Sequence, residues 1–164
     1  MSHVSPALYR TLQQIVPDLS VHCVDPWCLI GSAAALLVGA DVGVADVDVL
    51  VSPDDAERLM TLWASMREEI DESAGADRFR SHFARFRFPG MPVEIMGGLE
   101  LNGATGWQPV NAGRLTLVGV DGQAIPVPSV VDQIRILESF GRDKDRQRAA
   151  ALRASASSPL RGED

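Results

Sequence analysis

The sequence predicts an α+β fold, a β-sheet flanked by helices and followed by helices at its C-terminal end. Three observations predict it. Short apolar runs at 27–30, 44–51, 79–88 and 93–96 have strand character. Helical periodicity fills 33–38 and 53–66 and returns over 129–154. Two turn signals, Pro89-Gly90-Met91-Pro92 and Asp121-Gly122, fold neighbouring strands into hairpins.

Each element has a local reason. Leu8, Leu12 and Ile15 stand at helical spacing and predict a first helix over Pro6 to Ile15. Asp25-Pro26 breaks the chain, and Trp27-Cys28-Leu29-Ile30 reads as a buried strand ending at Gly31. Ser32 is placed to cap a helix over Ala33 to Val38, closed by Gly39. The next strand runs from Val44 to Val51. Ser52 caps the following helix, with Pro53 at its first position and Asp54 and Asp55 in its first turn, and Leu59, Leu62 and Met66 carry it on. Asp71 to Asp77 is polar and reads as a loop. Phe79 to Phe88 alternates and turns into Val93-Glu94-Ile95-Met96, whereas Gly97 to Gly113 reads as irregular. Arg114 to Val120 and Gln123 to Val127 form a second hairpin. Ser129 caps a helix through Val131, Ile134, Leu137 and Phe140, stopped by Gly141, and a last helix covers about Lys144 to Ala154. Residues 1–154 form one domain in this reading, and Ser155 to Asp164 a frayed tail.

Composition narrows the classes. With 164 residues, 46% apolar and 23% charged, the chain is large enough for its own core and ordinary for a globular protein. A net charge of −7 argues against an extensive nucleic-acid surface, but not against a nucleotide held through a metal. Cys23 and Cys28 have no histidine spacing beside them that would complete a zinc site, and read as reduced thiols. The longest apolar stretch, Cys28 to Ala40, is too short and broken to span a bilayer, and the expected location is cytoplasmic.

Asp46 and Asp48 interrupt the apolar run Val44 to Val51 at i and i+2. A strand puts both on one face, with Cβ atoms roughly 6–7 Å apart. Two carboxylates so placed repel unless a cation lies between them, and hard oxygen donors suit Mg²⁺. Glu94, alone in the apolar run Val93 to Met96, is a candidate third carboxylate, since a half-buried charge is costly without a partner. Ile30-Gly31-Ser32 is a strand-to-helix turn in which a missing Cβ and free amides favour a phosphate. Each feature alone has a plainer reading: an ordinary turn, scattered acids on an edge strand, an outward-facing residue.

Together, Ile30-Gly31-Ser32, then Asp46-Val47-Asp48 between apolar residues, then Glu94, resemble the nucleotidyltransferase superfamily. A second, weaker match lies in Gly141-Arg142-Asp143-Lys144-Asp145, which is similar to the Gly-Arg-Pro-Lys-Asp segment of aminoglycoside nucleotidyltransferase-like proteins and of toxin-like nucleotidyltransferases of abortive-infection and toxin–antitoxin systems; Asp143 stands where that segment has proline. The resemblance covers roughly residues 27 to 150. It implies a mixed sheet flanked by helices and transfer of a nucleoside monophosphate from an NTP, such as ATP, to an acceptor hydroxyl on a small molecule, protein or RNA. Asp46, Asp48 and Glu94 would hold Mg²⁺ (or Mn²⁺), with Glu94 also the candidate base. Gly31, Ser32 and Lys144 would contact the nucleotide phosphates.

One departure stands out. Relatives often carry a basic residue shortly before the Asp pair, whereas Asp41-Val42-Gly43-Val44-Ala45 carries none. Arg85 and Arg87, on one face of the strand before Glu94, are the candidates to substitute in gripping the triphosphate; an exposed basic face is the plainer reading of both. Trp107 reads as a loop anchor or a stacking platform. Two other classes fit the same residues: a catalytically inactive relative that binds a nucleotide or a protein partner, and a metal-dependent phosphohydrolase. A homo-oligomer stays open. The three-carboxylate reading requires Asp46, Asp48 and Glu94 to converge on one face of the sheet.

Overall fold

A computed structural model describes residues 4–156, apart from Glu72 and Ala74. Of the expected tail, Ser155 and Ala156 belong to the last helix, and residues 157–164 lie outside the described residues.

Helix α1 spans Pro6–His22, with the Ser5 hydroxyl accepting a hydrogen bond from the Leu8 amide at 3.1 Å. It runs past the expected end at Ile15 and contains Pro17. Val16 and Leu19 extend the buried stripe of Leu8, Leu12 and Ile15, and that packing outweighs the donor Pro17 removes. Strand β1 (Cys28–Ile30) leads into α2 (Gly31–Leu37). Ser32 does not cap α2: the cap is Ile30 backbone, and Ser32 lies buried in the first turn. Strand β2 is Val47–Val51, shorter than the expected 44–51, so Asp46 stands one residue before the strand.

Helix α3 (Pro53–Leu62) starts as expected, on Ser52 and Pro53, but stops before Met66. Trp63 is its C-cap, with its amide still bonded to the Leu59 carbonyl at 2.8 Å, and it continues the buried face of Ala56 and Leu59. Its ring is buried edge-on against Phe86 and Phe88, with centroids 5.3 and 4.9 Å away, and its Nε1 donates to Asp18 at 2.8 Å. The chain then makes a 3₁₀ turn (Ala64–Met66) and the two-residue strand β3 (Arg67–Glu68). Strands β4 (Phe79–Arg87) and β5 (Pro92–Gly103) form the hairpin, and β6 (Gly106–Pro109) pairs back on β5. The segment expected to be irregular is therefore strand as far as Pro109. Gly97 is in β5 for close packing: a Cβ there would lie 2.5 Å from the Ala56 Cβ of α3. Strands β7 (Leu115–Val120) and β8 (Gln123–Pro128) are a separate two-stranded sheet, turning at Asp121 and Gly122 with φ of 46° and 80°. Helices α4 (Val130–Phe140) and α5 (Asp143–Ala156) complete the chain.

The main sheet has the order β1-β2-β5-β4-β3. Strands β2 and β5 pair parallel and the other neighbours antiparallel, which makes the sheet mixed. One face, with Val47, Val49, Val93, Ile95, Ala84 and Phe86, packs on α1 and α3 and forms the larger core. The other carries Asp48, Glu94 and Arg85, then Met96 and Phe83, and is covered beyond these by Ile136 and Phe140 of α4. Alternation along each strand thus separates a dry face from a chemical one.

Asp55 ties the chain before β1 to α3. Fully buried, it accepts hydrogen bonds from the Val24 and Asp25 amides at 3.0 and 2.9 Å and pairs with Arg58 at 2.7 Å. Burial pushes its carboxyl up, but the Val24 and Asp25 amides, Ser52 and Arg58 more than offset this and hold it below its ordinary value. A lowered carboxyl supplies stability that is present above the ordinary carboxylate range and lost as pH falls through the lowered value. Asp55→Ala therefore costs about 2–3 kcal/mol, by orphaning two amides and a guanidinium, without changing the m-value in a urea titration. The deficit shrinks as the titration is repeated at falling pH.

Candidate active site

A single register line crosses the sheet: Ile30 on β1, Asp48 on β2, Glu94 on β5, Arg85 on β4 and Glu68 on β3. Side chains directly opposite in adjacent strands share a face, so Asp48 and Glu94 are nearest neighbours. Asp46 joins them from two residues upstream. Asp46, Asp48 and Glu94 each offer a carboxylate oxygen, and the three oxygens lie within 4.8 Å of one another. The structure thus brings together the three carboxylates singled out from the sequence.

The residues fit a hard divalent cation. Asp48 Oδ1 is buried and has no hydrogen-bond partner, although buried carboxylates are almost always paired. Burial, and then the charges of Asp46 and Glu94, push the Asp48 carboxyl well above its ordinary value; Arg148 acts in the opposite direction. Gly31 leaves the space that this carboxylate occupies: with φ of 71°, a Cβ there would lie 2.7 Å from Asp48 Oδ2. An all-oxygen anionic donor set with an orphaned oxygen suits Mg²⁺ or Mn²⁺.

Arg85 is the cation beside them. Its Nη1 is 2.9 Å from Glu94 Oε2 and 3.6 Å from Asp46 Oδ2, and its Nε is 3.2 Å from Glu68 Oε2. Arg87 also pairs with Glu68, at 2.8 Å, but its side chain is 81% exposed and does not line the cleft. The paired Arg87 and Arg85 hold the Glu68 carboxyl below its ordinary value.

The carboxylates stand in a cleft of about 1040 Å³. Phe79, Phe83, Met96, Leu99 and Phe140 give it an apolar lining, and Lys144 and Arg148 of α5 bring positive charge. Ser32 is 2% exposed and does not line the cleft, so of the Gly31-Ser32 pair only Gly31 reaches it. Lys144, the candidate phosphate contact, lines the cleft. Its motif has a structural share as well. Asp145 is fully buried, accepts from Arg142 Nε and Nη2 at 2.6 and 3.0 Å and from the Arg142 amide at 3.2 Å, and so fixes the first turn of α5. The Arg142 guanidinium lies over Phe79 and Phe140, 5.1 and 5.8 Å from their centroids. Gly141 turns the chain between α4 and α5 with φ of 72°.

Sequence reasoning missed Arg148. The available signal was its place four residues after Lys144, on the same face of a predicted helix. It also missed Glu68, which lies between the expected end of a helix at Met66 and the loop from Asp71, where no element was assigned. Trp107 lies on β6 outside the cleft lining, beneath the Arg80 guanidinium at 4.3 Å. The thiols of Cys23 and Cys28 are free and both pushed up to about 12, chiefly by burial. Among the described residues, no helix is long and apolar enough to cross a membrane.

No protein-family model matches the sequence, and no curated protein matches it significantly. Solved structures do match. A candidate nucleotidyltransferase from Thermotoga maritima is 25% identical, with a TM-score of 0.75 over 92% of this chain and 93% of its own. The lincosamide antibiotic adenylyltransferase LnuA, solved with lincomycin bound, is 11% identical with a TM-score of 0.60, covering 92% of this chain and 98% of its own. An antigenic nucleotidyltransferase-like protein from Paracoccidioides brasiliensis is 16% identical with a TM-score of 0.56, over 91% of this chain and 76% of its own.

The position of Asp48 makes a measurable trade. A buried carboxyl with a raised pKa loses stability as pH rises from the unfolded value, about 4, through the raised folded value. Asp48→Asn removes that loss. The expected result is a melting temperature higher than wild type by about 2–4 °C or more in metal-free buffer, with the gain growing as pH rises through that window. If the three carboxylates hold a cation, the same variant will lack any rise in melting temperature on adding Mn²⁺ that the wild type shows, because a carboxamide is a poor substitute ligand.

Proposed function

We propose that this chain, a member of the nucleotidyltransferase superfamily, transfers a nucleoside monophosphate from an NTP to an acceptor hydroxyl. The observation that carries the reading is the convergence of Asp46, Asp48 and Glu94, with the orphaned Asp48 oxygen among them, at a cleft large enough for two small ligands.

Asp46, Asp48 and Glu94 would hold the divalent cation, Mg²⁺ or Mn²⁺, which when bound would supply charge neutralisation for the triphosphate and a lowered pKa for the attacking hydroxyl. Glu94 accepts the hydroxyl proton. The acceptor oxygen forms a bond to the α-phosphorus while the bond from that phosphorus to the bridging oxygen breaks. The electron pair leaves with pyrophosphate, whose charge Lys144 and Arg148 stabilise from α5. Gly31 contributes by having no side chain between the nucleotide and Asp48. Phe79, Phe83, Met96 and Phe140 offer apolar surface to the base or the acceptor body. A cleft of about 1040 Å³ with Phe79, Phe83, Met96 and Phe140 in its lining and a net charge of −7 favour a small-molecule acceptor over RNA.

Incubation with α-labelled NTPs and a panel of hydroxyl compounds gives labelled product only with Mg²⁺ or Mn²⁺. Asp46→Asn and Asp48→Asn each lower the transfer rate by about 10³-fold or more while leaving the fold intact by circular dichroism. Phosphate release without labelled acceptor identifies a hydrolase instead, and nucleotide binding without turnover identifies a binding protein. Lys144→Ala and Arg148→Ala each weaken NTP binding by about tenfold, measured by equilibrium dialysis, without altering Mn²⁺ binding in the absence of nucleotide.

A further inference from the structure

Arg85 contacts two of the three carboxylates that would hold a cation. Its Nη1 lies 2.9 Å from Glu94 Oε2 and 3.6 Å from Asp46 Oδ2, on two carboxylates that each offer an oxygen to the group converging within 4.8 Å. A guanidinium and a divalent ion both require those lone pairs, so the two compete. Arg85 has a second carboxylate in reach on its other side. Glu68 is its cross-strand neighbour on β3, 3.2 Å from Nε. Glu68 is also held by Arg87, whose largely exposed guanidinium can release it to water at small cost.

We propose that Arg85 and Glu68 together set the metal affinity of the site: Arg85 is a competing internal cation, and Glu68 is the carboxylate that receives it when an ion binds. The proposal rests on the reading that Asp46, Asp48 and Glu94 hold a cation. Both are positioning residues, acting through the carboxylates. Geometry supports the exchange. Glu94, Arg85 and Glu68 occupy one register line on three adjacent strands, so the guanidinium passes from one acid to the other by side-chain rotation with the backbone fixed. The arrangement also keeps three close acids from repelling one another apart, which a plain basic residue on the surface would not do.

The test is Mn²⁺ affinity of the whole protein without nucleotide, followed through the free-ion signal in electron paramagnetic resonance and alongside melting curves. Arg85→Met is expected to bind Mn²⁺ about tenfold more tightly than wild type, although it melts lower without the ion. Arg85→Lys, which keeps the charge, is expected within about threefold of wild type. Glu68→Gln is expected to bind several-fold more weakly, and this loss disappears in the Arg85→Met background because Glu68 acts only through Arg85. A merely structural ion pair predicts that Arg85→Met loses stability and Mn²⁺ affinity together, or loses stability with affinity unchanged; either result overturns the proposal. So does an equal Glu68→Gln effect in both backgrounds. If neither wild type nor Arg85→Met binds Mn²⁺, the cation reading itself fails and takes this proposal with it. If only Arg85→Met binds, the competition is stronger than estimated and the proposal stands.

Discussion

Asp48 and Glu94 stand opposite each other on hydrogen-bonded parallel strands, and the register that puts them there is held from the other face of the sheet. Opposed side chains in adjacent strands are only about 5 Å apart, so two carboxylates there repel and resist the pairing. The pairing survives because Val47, Val49, Val93 and Ile95 alternate with them and are fully buried against α1 and α3. A slip of one residue would send Asp48 into that core and the valines into the cleft. The apolar side chains therefore fix the address of the charged ones, and the electrostatic cost is carried by packing with no part in the chemistry.

The same constraint extends outward. Gly31 must lack a Cβ because Asp48 fills the space beside it. Beyond the carboxylates, the charged register line gives way to Met96 and Phe83, then to a cluster with Leu99 and Phe140. Arg142 bridges this apolar patch to α5, stacked on Phe79 and Phe140 while paired with the buried Asp145. Only Asp145 of this pair is buried, and breaking it would leave that carboxylate without its guanidinium, so the pair defines one orientation of α5. Lys144 and Arg148 face the cleft as a consequence.

Much of this was legible in the sequence, and the limits have physical causes. Ser52-Pro53, Ser129, Gly141 and Asp121-Gly122 act through local backbone chemistry, and each does what it announces. Asp46, Asp48 and Glu94 were legible because acids inside apolar strands contradict their surroundings. Failures arose where tertiary packing overrode local pattern. The first helix was expected to end at Ile15, but Val16 and Leu19 pack into the core and the helix runs on through Pro17 to His22. Met66 looked like part of the same helix as Leu59, but α3 ends at Leu62 and the chain passes through a 3₁₀ turn into β3, which carries Glu68 and pairs with β4. Ser32 looked like a cap that could reach a phosphate, whereas β1 delivers it into the interior. Glu68 was invisible because it matters through residues far away in the chain, across the sheet, and Arg148 offered only its place one helical turn after Lys144.

The segment before Asp46 carries no basic residue, and that departure acquires a meaning from where the cations lie. Arg85 and Arg87 were the natural replacements by sequence, but both are committed to acids of the sheet, Arg85 to Glu94, Asp46 and Glu68 and Arg87 to Glu68. A guanidinium held by two or three carboxylates gives little net positive charge to an incoming triphosphate. Lys144 and Arg148 differ in this respect. They are one helical turn apart, and Arg148 makes no ion pair among the described residues while its charge still reaches Asp48. The cations of the site therefore divide by element. Those on the sheet balance the carboxylates, whereas those on α5 line the cleft beside them. On the proposed reading the phosphate charge would be met from the C-terminal helix, so a chain without the expected base before Asp46 still has cations on both sides of its carboxylates.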